Sequence, residues 1–80
     1  MPDVKLFARL RELAGTDTVA VPLSLPAAVV DLRRRLAADF PTLANLLARS
    51  AVAVNADLAT DDTLIRTGDE IAVIPPVSGG

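Results

Sequence analysis

The chain closes on Ile74-Pro75-Pro76-Val77-Ser78-Gly79-Gly80, and these residues hold most of the chemistry that the sequence offers. Pro75 and Pro76 lack a backbone N–H and hold φ fixed, so they end sheet pairing and direct the chain outward as a semi-rigid arm. Val77 to Gly80 lie beyond them and span at most roughly 14 Å when extended, at about 3.5 Å per residue, which is deep enough to enter a partner's cleft. Gly79 and Gly80 carry no Cβ, so a narrow channel can close around their backbone. The group delivered to that depth is the α-carboxylate of Gly80. A carboxylate is a poor electrophile until activated, for example as an acyl-adenylate; it can then accept sulfur and become a thiocarboxylate, or accept an amine.

A terminal Gly-Gly is also what a frayed chain end looks like. Three features favour a working terminus: the stiffening prolines, the position of Gly80 as last residue, and the lack of other chemistry. No cysteine and no histidine occur, which removes disulfides, Cys/His zinc sites, thiol or imidazole nucleophiles and the commonest general base. A formal charge of -2 with no Trp or Tyr lacks both the basic footprint and the stacking aromatics of a nucleic-acid binder. The opening Met1-Pro2-Asp3-Val4-Lys5 mixes polar and apolar residues at once, unlike a secretory signal. No run approaches the roughly 20 apolar residues that cross a bilayer. The expectation is a cytoplasmic protein with neither nucleic acid nor membrane as partner.

Eighty residues make one domain, and 51% hydrophobic residues with only two Phe make its core aliphatic. Val4 to Arg9 alternates as a half-buried strand, with Val4, Leu6 and Ala8 on one face and Lys5, Phe7 and Arg9 on the other. Phe7 thus falls on the polar face. An aromatic rimmed by charges there reads as an interface anchor, unless a long charged stem or the Arg11 region covers it. Ala8 to Ala14 is made of good helix formers and is followed by Gly15, which predicts one or two helical turns. Thr18 to Leu23 alternates again and predicts a strand returning beside the first as a wide hairpin.

Ser24 and Pro26 mark the start of the main helix, whose stripe is Val29, Leu32 (or Arg33), Leu36 and Phe40 and which stops at Phe40-Pro41. Thr42 to Arg49 predicts a shorter helix with Leu43, Leu46 and Leu47 inward, and Ala51 to Asn55 a short strand. Turns follow at Asn55-Ala56-Asp57 and Thr67-Gly68-Asp69, with Leu58 after the first and an Asp61-Asp62-Thr63 loop before Leu64-Ile65. Glu70 to Ile74 is the last strand, with Ile71 and Val73 facing one way and Ala72 and Ile74 the other. One helix stripe covering one face of a mixed sheet predicts an α+β, β-grasp (ubiquitin-like) fold, four to five strands packed on one main helix. Residues 1–76 form the domain and 77–80 the extended tail. A ferredoxin-like split fold would want a second long helix near the end, where only loop and strand signals occur.

The segments "KLFARLRELAG" from Lys5 to Gly15, Asn55 after the Ala-Val run, "GDE" at Gly68 to Glu70 and "PPVSGG" at Pro75 to Gly80 carry a resemblance. Over essentially its whole length the chain resembles the small-subunit family of molybdopterin synthase, which are β-grasp sulfur carriers. The resemblance implies that an adenylating enzyme related to ubiquitin-activating enzymes, using ATP and Mg²⁺, forms an acyl-adenylate on Gly80. A sulfur donor then converts it to a thiocarboxylate. The large synthase subunit takes the loaded tail into its own active site, where successive sulfur transfers onto cyclic pyranopterin monophosphate make the dithiolene of molybdopterin, within a heterotetramer of small and large subunits.

On this view the chain is no enzyme by itself and binds no cofactor or metal. Gly80 bears the sulfur, Gly79 fits the channel, and Val77 and Ser78 enter with them. The family's docking patch falls on Phe7, Leu58 and Ile74, continued by Pro75 and Pro76. The family often has an aromatic before the double proline, so Ile74 bears on docking strength rather than on the carrier role. Carriers for thiamin synthesis or tRNA thiolation share fold and terminus, as do ubiquitin-like modifiers that form isopeptide bonds with lysines; a plain binding module is the remaining alternative.

Two clusters read as surface. Arg33-Arg34-Arg35 spreads over about 200° of the helical wheel, with Asp31–Arg35 and Arg35–Asp39 spaced for solvent-face pairs. Asp61, Asp62 and Asp69 lack the ligand spacing of a calcium loop.

Overall fold

A computed structural model describes residues 1–76 of the chain. The alternating stretches become strands and the 3.6-period stripe becomes a helix, in the order β1 (Asp3–Leu6), α1 (Ala8–Ala14), β2 (Thr18–Ala20), β3 (Ala27–Ala28), α2 (Val29–Asp39), a 3-10 turn (Pro41–Leu43), α3 (Ala44–Arg49), β4 (Ala51–Val54), β5 (Asp57–Ala59), β6 (Leu64–Ile65) and β7 (Ile71–Ile74). Five strands form one mixed sheet in the order β2-β1-β7-β4-β5, and β3 pairs with β6 apart from it. β1 runs antiparallel to β2 and parallel to β7, and β4 is antiparallel to both β7 and β5. This is the α+β β-grasp arrangement expected above.

The parallel β1–β7 pair sets everything that follows. Val4, Lys5 and Leu6 lie beside Ile71, Ala72 and Val73, so Phe7 and Ile74 leave the sheet together at one end. The inner face contributes Val4, Leu6, Val19, Val52, Val54, Ile71 and Val73 to the core, under Val29, Leu32 and Leu36 of α2 and Leu10, Leu43 and Leu47. Each such burial is worth about 1.5–3 kcal/mol relative to exposure, and the core contains no aromatic at all. Phe40, at the end of the stripe, is half-buried at its edge.

Several boundaries differ from the sequence reading for identifiable reasons. β1 ends at Leu6 because Ala8, at φ 51°, turns the chain into α1, which Gly15 closes at φ 76°. The main helix starts at Val29 rather than near Ser24, since Ala27 and Ala28 pair with Ile65 and Leu64. No side chain caps it. Instead the N–H groups of Val29 and Val30 donate to the carbonyls of Thr63 and Asp61, 3.0 and 2.9 Å away, so the β5–β6 loop satisfies the open helix end. Leu58, left unassigned from sequence, lies in β5, paired to β4 through a two-residue turn in which Asn55 and Ala56 have φ of 53° and 68°.

The arginine cluster divides. Arg35 makes the expected surface pair with Asp39 at 3.3 Å. Arg33 does not belong to the solvated face: its Nη1 donates to the carbonyls of Leu47 and Ser50, both at 2.6 Å, and its Nε to Asp61 at 3.2 Å. One side chain thus ties α2 to the end of α3, where β4 begins, and to the loop that caps α2.

Candidate functional site

Register places the outward-facing residues in rows. Phe7, one step beyond the Leu6–Val73 pair, neighbours Ile74, which is opposite Ala51. The next row across all five strands is Thr18, Lys5, Ala72, Ala53 and Leu58. The following row, at the opposite end, holds Ala20, Asp3, Glu70 and Asn55. The open face therefore grades from apolar at the tail end to acidic at the other.

Phe7, Leu58 and Ile74 are 43%, 77% and 40% exposed. None of the three belongs to the buried core, and small alanines lie between them: Ala51, Ala53 and Ala72. The result is a low shelf with walls at Phe7 and Ile74 on one side and Leu58 on the other, roughly 12 Å from Ile74 and about 16 Å from Phe7, at about 4.8 Å between strands and 3.3 Å per residue. The other exposed large apolar residues, Met1, Leu13 and Leu64, lie on the N-terminus, α1 and β6, off this face. Among sequence-predicted site residues the structure thus brings Phe7 and Ile74 together and sets Leu58 across the shelf from them.

β7 pairs as far as Ile74, after which Pro75 is buried and Pro76 exposed. Pro75, taken above with the outward arm, is seated in the domain, because it must continue the line of β7 before the chain departs. Pro76 is thus the member of the pair that is open to solvent. Val77, Ser78, Gly79 and Gly80 lie outside the described residues.

The far end of β7 is held by a polar clip. The Asn55 amide donates to Asp69 Oδ1 at 2.9 Å, its Oδ1 accepts from the Glu70 N–H at 2.9 Å, and Asp69 Oδ2 accepts from the Arg66 N–H at 2.8 Å. This ties the β4–β5 turn to the turn before β7, the one signalled in sequence by Gly68, which sits at φ 91°. The Arg66 backbone N–H first, and the Asn55 amide second, hold the Asp69 carboxyl below its usual range. A lowered folded pKa adds stability above the unfolded value of about 3.9 and loses it as pH falls through the lower folded value. Asp69→Asn is therefore expected to lower Tm at neutral pH, with the difference closing only in acid well below pH ~4. A Tm series from neutral pH down checks it; a constant difference would contradict the assignment. Asp61 serves as the partner of Arg33, and among the described residues no group of three or more His, Cys, Asp or Glu is placed to hold a metal ion.

What the described open face offers is a set of exposed apolar side chains, Phe7 and Ile74 with Leu58 across from them, beside the end of β7. The fold defines the class as ubiquitin-like β-grasp proteins. The chain belongs to the ThiS family, whose profile it matches over residues 4–80. It is 40% identical to the molybdopterin synthase sulfur carrier subunit of Escherichia coli (strain K12), covering all of both chains, and 38% identical to that of Dictyostelium discoideum, covering 96% and 93%. Among solved structures it is similar to the crystal structure of SAMP1 from Haloferax volcanii, with TM-score 0.81 and 35% identity over 98% and 97% of the chains. At the level of fold it also matches a chain in the complex of subunits 1 and 2 of molybdopterin-converting factor from Helicobacter pylori, with TM-score 0.67 and 24% identity over 98% and 96%. Among the described residues no helix is long and apolar enough to cross a membrane.

Proposed function

We propose that this chain is the sulfur-carrying small subunit of a molybdopterin synthase. The carboxylate of Gly80 attacks the α-phosphate of ATP in an adenylating enzyme, releasing pyrophosphate. A sulfur nucleophile then displaces AMP, so that one carboxylate oxygen is exchanged for sulfur. The loaded tail enters the large synthase subunit, which holds the active site, and gives its sulfur to cyclic pyranopterin monophosphate. The exposed apolar trio of Phe7, Leu58 and Ile74 around the tail exit is the observation that carries this reading, because a carrier must dock before its terminus can be threaded. The full-length relationship to molybdopterin synthase carrier subunits supports it.

The deciding experiment is intact mass after incubation with the adenylating enzyme, ATP, Mg²⁺ and a sulfur donor, followed by addition of the large subunit and the pyranopterin precursor. Exchange of oxygen for sulfur and formation of molybdopterin are the expected results; an unchanged mass would refute the carrier role, and turnover only in a thiamin or tRNA thiolation assay would move the chain to another pathway. A second reading, attachment to lysines of other proteins, draws on the likeness to small archaeal modifier protein 1. It predicts conjugates that survive denaturing gels and vanish when Gly80 is deleted.

Docking has its own test. Phe7→Ala and Leu58→Ala are each expected to weaken binding to the large subunit by about 1–3 kcal/mol, as anchors do when truncated. Leu58→Ala is expected to change folding by no more than about 1 kcal/mol, since that residue is 77% exposed, and Phe7→Ala, at 43% exposure, to cost folding less than it costs binding. Calorimetric titration beside thermal melts separates the two; a loss in stability of several kcal/mol without loss of binding would make Phe7 a core residue.

A further inference from the structure

The sequence contains one lysine, Lys5, against seven arginines, and neither cysteine nor histidine. A guanidinium stays protonated and is no nucleophile, and a hydroxyl without a neighbouring base is a weak one. An activated acyl group therefore meets a single reactive side chain in this protein, the Lys5 amine, besides the α-amine. Lys5 is exposed in the middle of β1 and forms no ion pair among the described residues, so nothing ties its amine down. It also occupies the central row of the open face, beside Ala72 and in line with Ala53 and Leu58. Phe7 is two residues further along the same strand, about 7 Å away at 3.3 Å per residue.

We infer that Lys5 is a modification site, acylated by the activated C-terminal glycine of another copy of this chain, and that the resulting isopeptide bars partner docking on Phe7, Ile74 and Leu58. The inference rests on the carrier reading, because the acyl donor is the Gly80 adenylate. In the step, the neutral Lys5 Nζ attacks the acyl carbon, the C–N bond forms, the bond to the AMP oxygen breaks, AMP leaves and the amine proton passes to water. The product places a second 8.3 kDa chain on the docking shelf and removes the one cation of its central row. Conjugation and docking then compete for one face. A docked partner covers Lys5 and leaves sulfur as the acceptor, whereas an activated chain without its partner has this amine open to it.

The test incubates the full-length chain with its adenylating enzyme, ATP and Mg²⁺, without a sulfur donor, and follows pyrophosphate release beside intact mass and peptide mapping. Dimers joined between Gly80 and Lys5, lost in Lys5→Arg and suppressed by adding the large subunit, are the expected result. Pyrophosphate release without conjugates, linkage to the α-amine instead, or conjugation unaffected by the large subunit would overturn the inference while leaving the carrier role intact. Absence of pyrophosphate release and of any mass change with a sulfur donor would instead refute the carrier reading itself.

Discussion

Adding a single alanine after Gly80 is expected to abolish sulfur transfer, with a loss of at least about 100-fold, the scale on which small misplacements of a reacting atom act. The extra residue moves the reactive carbonyl carbon by about 3.5 Å and, under the proposed function, would put a Cβ into a partner channel that glycine alone is expected to fit. Its effect on folding is expected to be within error, because every core residue lies between Val4 and Val73. Thiocarboxylate formation measured by mass, alongside a thermal melt, checks both halves. Full activity in the extended chain would show that the free acid of Gly80 is not the group that partners act on, and with it the proposed function would fail.

The second large effect concerns stability. Arg33→Ala is expected to cost about 2–4 kcal/mol, because charge-assisted hydrogen bonds are worth about 1.5–3 kcal/mol each and the carbonyls of Leu47 and Ser50 lose a shared donor. A domain of this size has only about 4–12 kcal/mol to lose, so the drop in Tm should be on the order of 15 °C. The partner Asp61 is 60% exposed, and Asp61→Asn is expected to cost less than about 1 kcal/mol, as exposed pairs do. Arg33→Lys should not restore the wild type, since an ammonium on a shorter stem does not reproduce the fork that serves two carbonyls and a carboxylate. Denaturant titration of the three variants orders them; equal losses for Arg33→Ala and Asp61→Asn would mean that the carbonyl bonds contribute little. The staple also bears on function, because it holds the start of β4 against α2, and β4 is the strand beside β7 that carries Ile74 into the docking shelf.

Much of the architecture was legible because it depends on local periodicity. The stripe Val29, Leu32 and Leu36 and the alternation of β1 and β7 are properties of short windows, and so are the left-handed glycines that end α1 and turn the chain before β7. Phe7 could be singled out for the same reason, since it breaks its strand's alternation. What went astray depended on partners distant in sequence. The start of α2 is capped by carbonyls some 30 residues further on, β5 forms only as the neighbour of β4, and Arg33 finds its acceptors on α3 rather than in solvent. Asn55 was visible as a turn residue, but its bonds to Asp69 and Glu70 join turns that are 14 and 15 positions apart.

By itself the sequence determined that this is a small aliphatic domain with neither cysteine nor histidine and with prolines and glycines in its last residues, because composition and short-range pattern need no neighbours to be read. Only the tertiary structure decided that Ile74 and Leu58 share the face of Phe7 and Lys5, that Pro75 is buried and Pro76 exposed, and that Arg33 is half-buried against α3. The reason is the parallel pairing of the first strand with the last: it joins opposite ends of the chain in one register, and no local pattern encodes which residues then become neighbours.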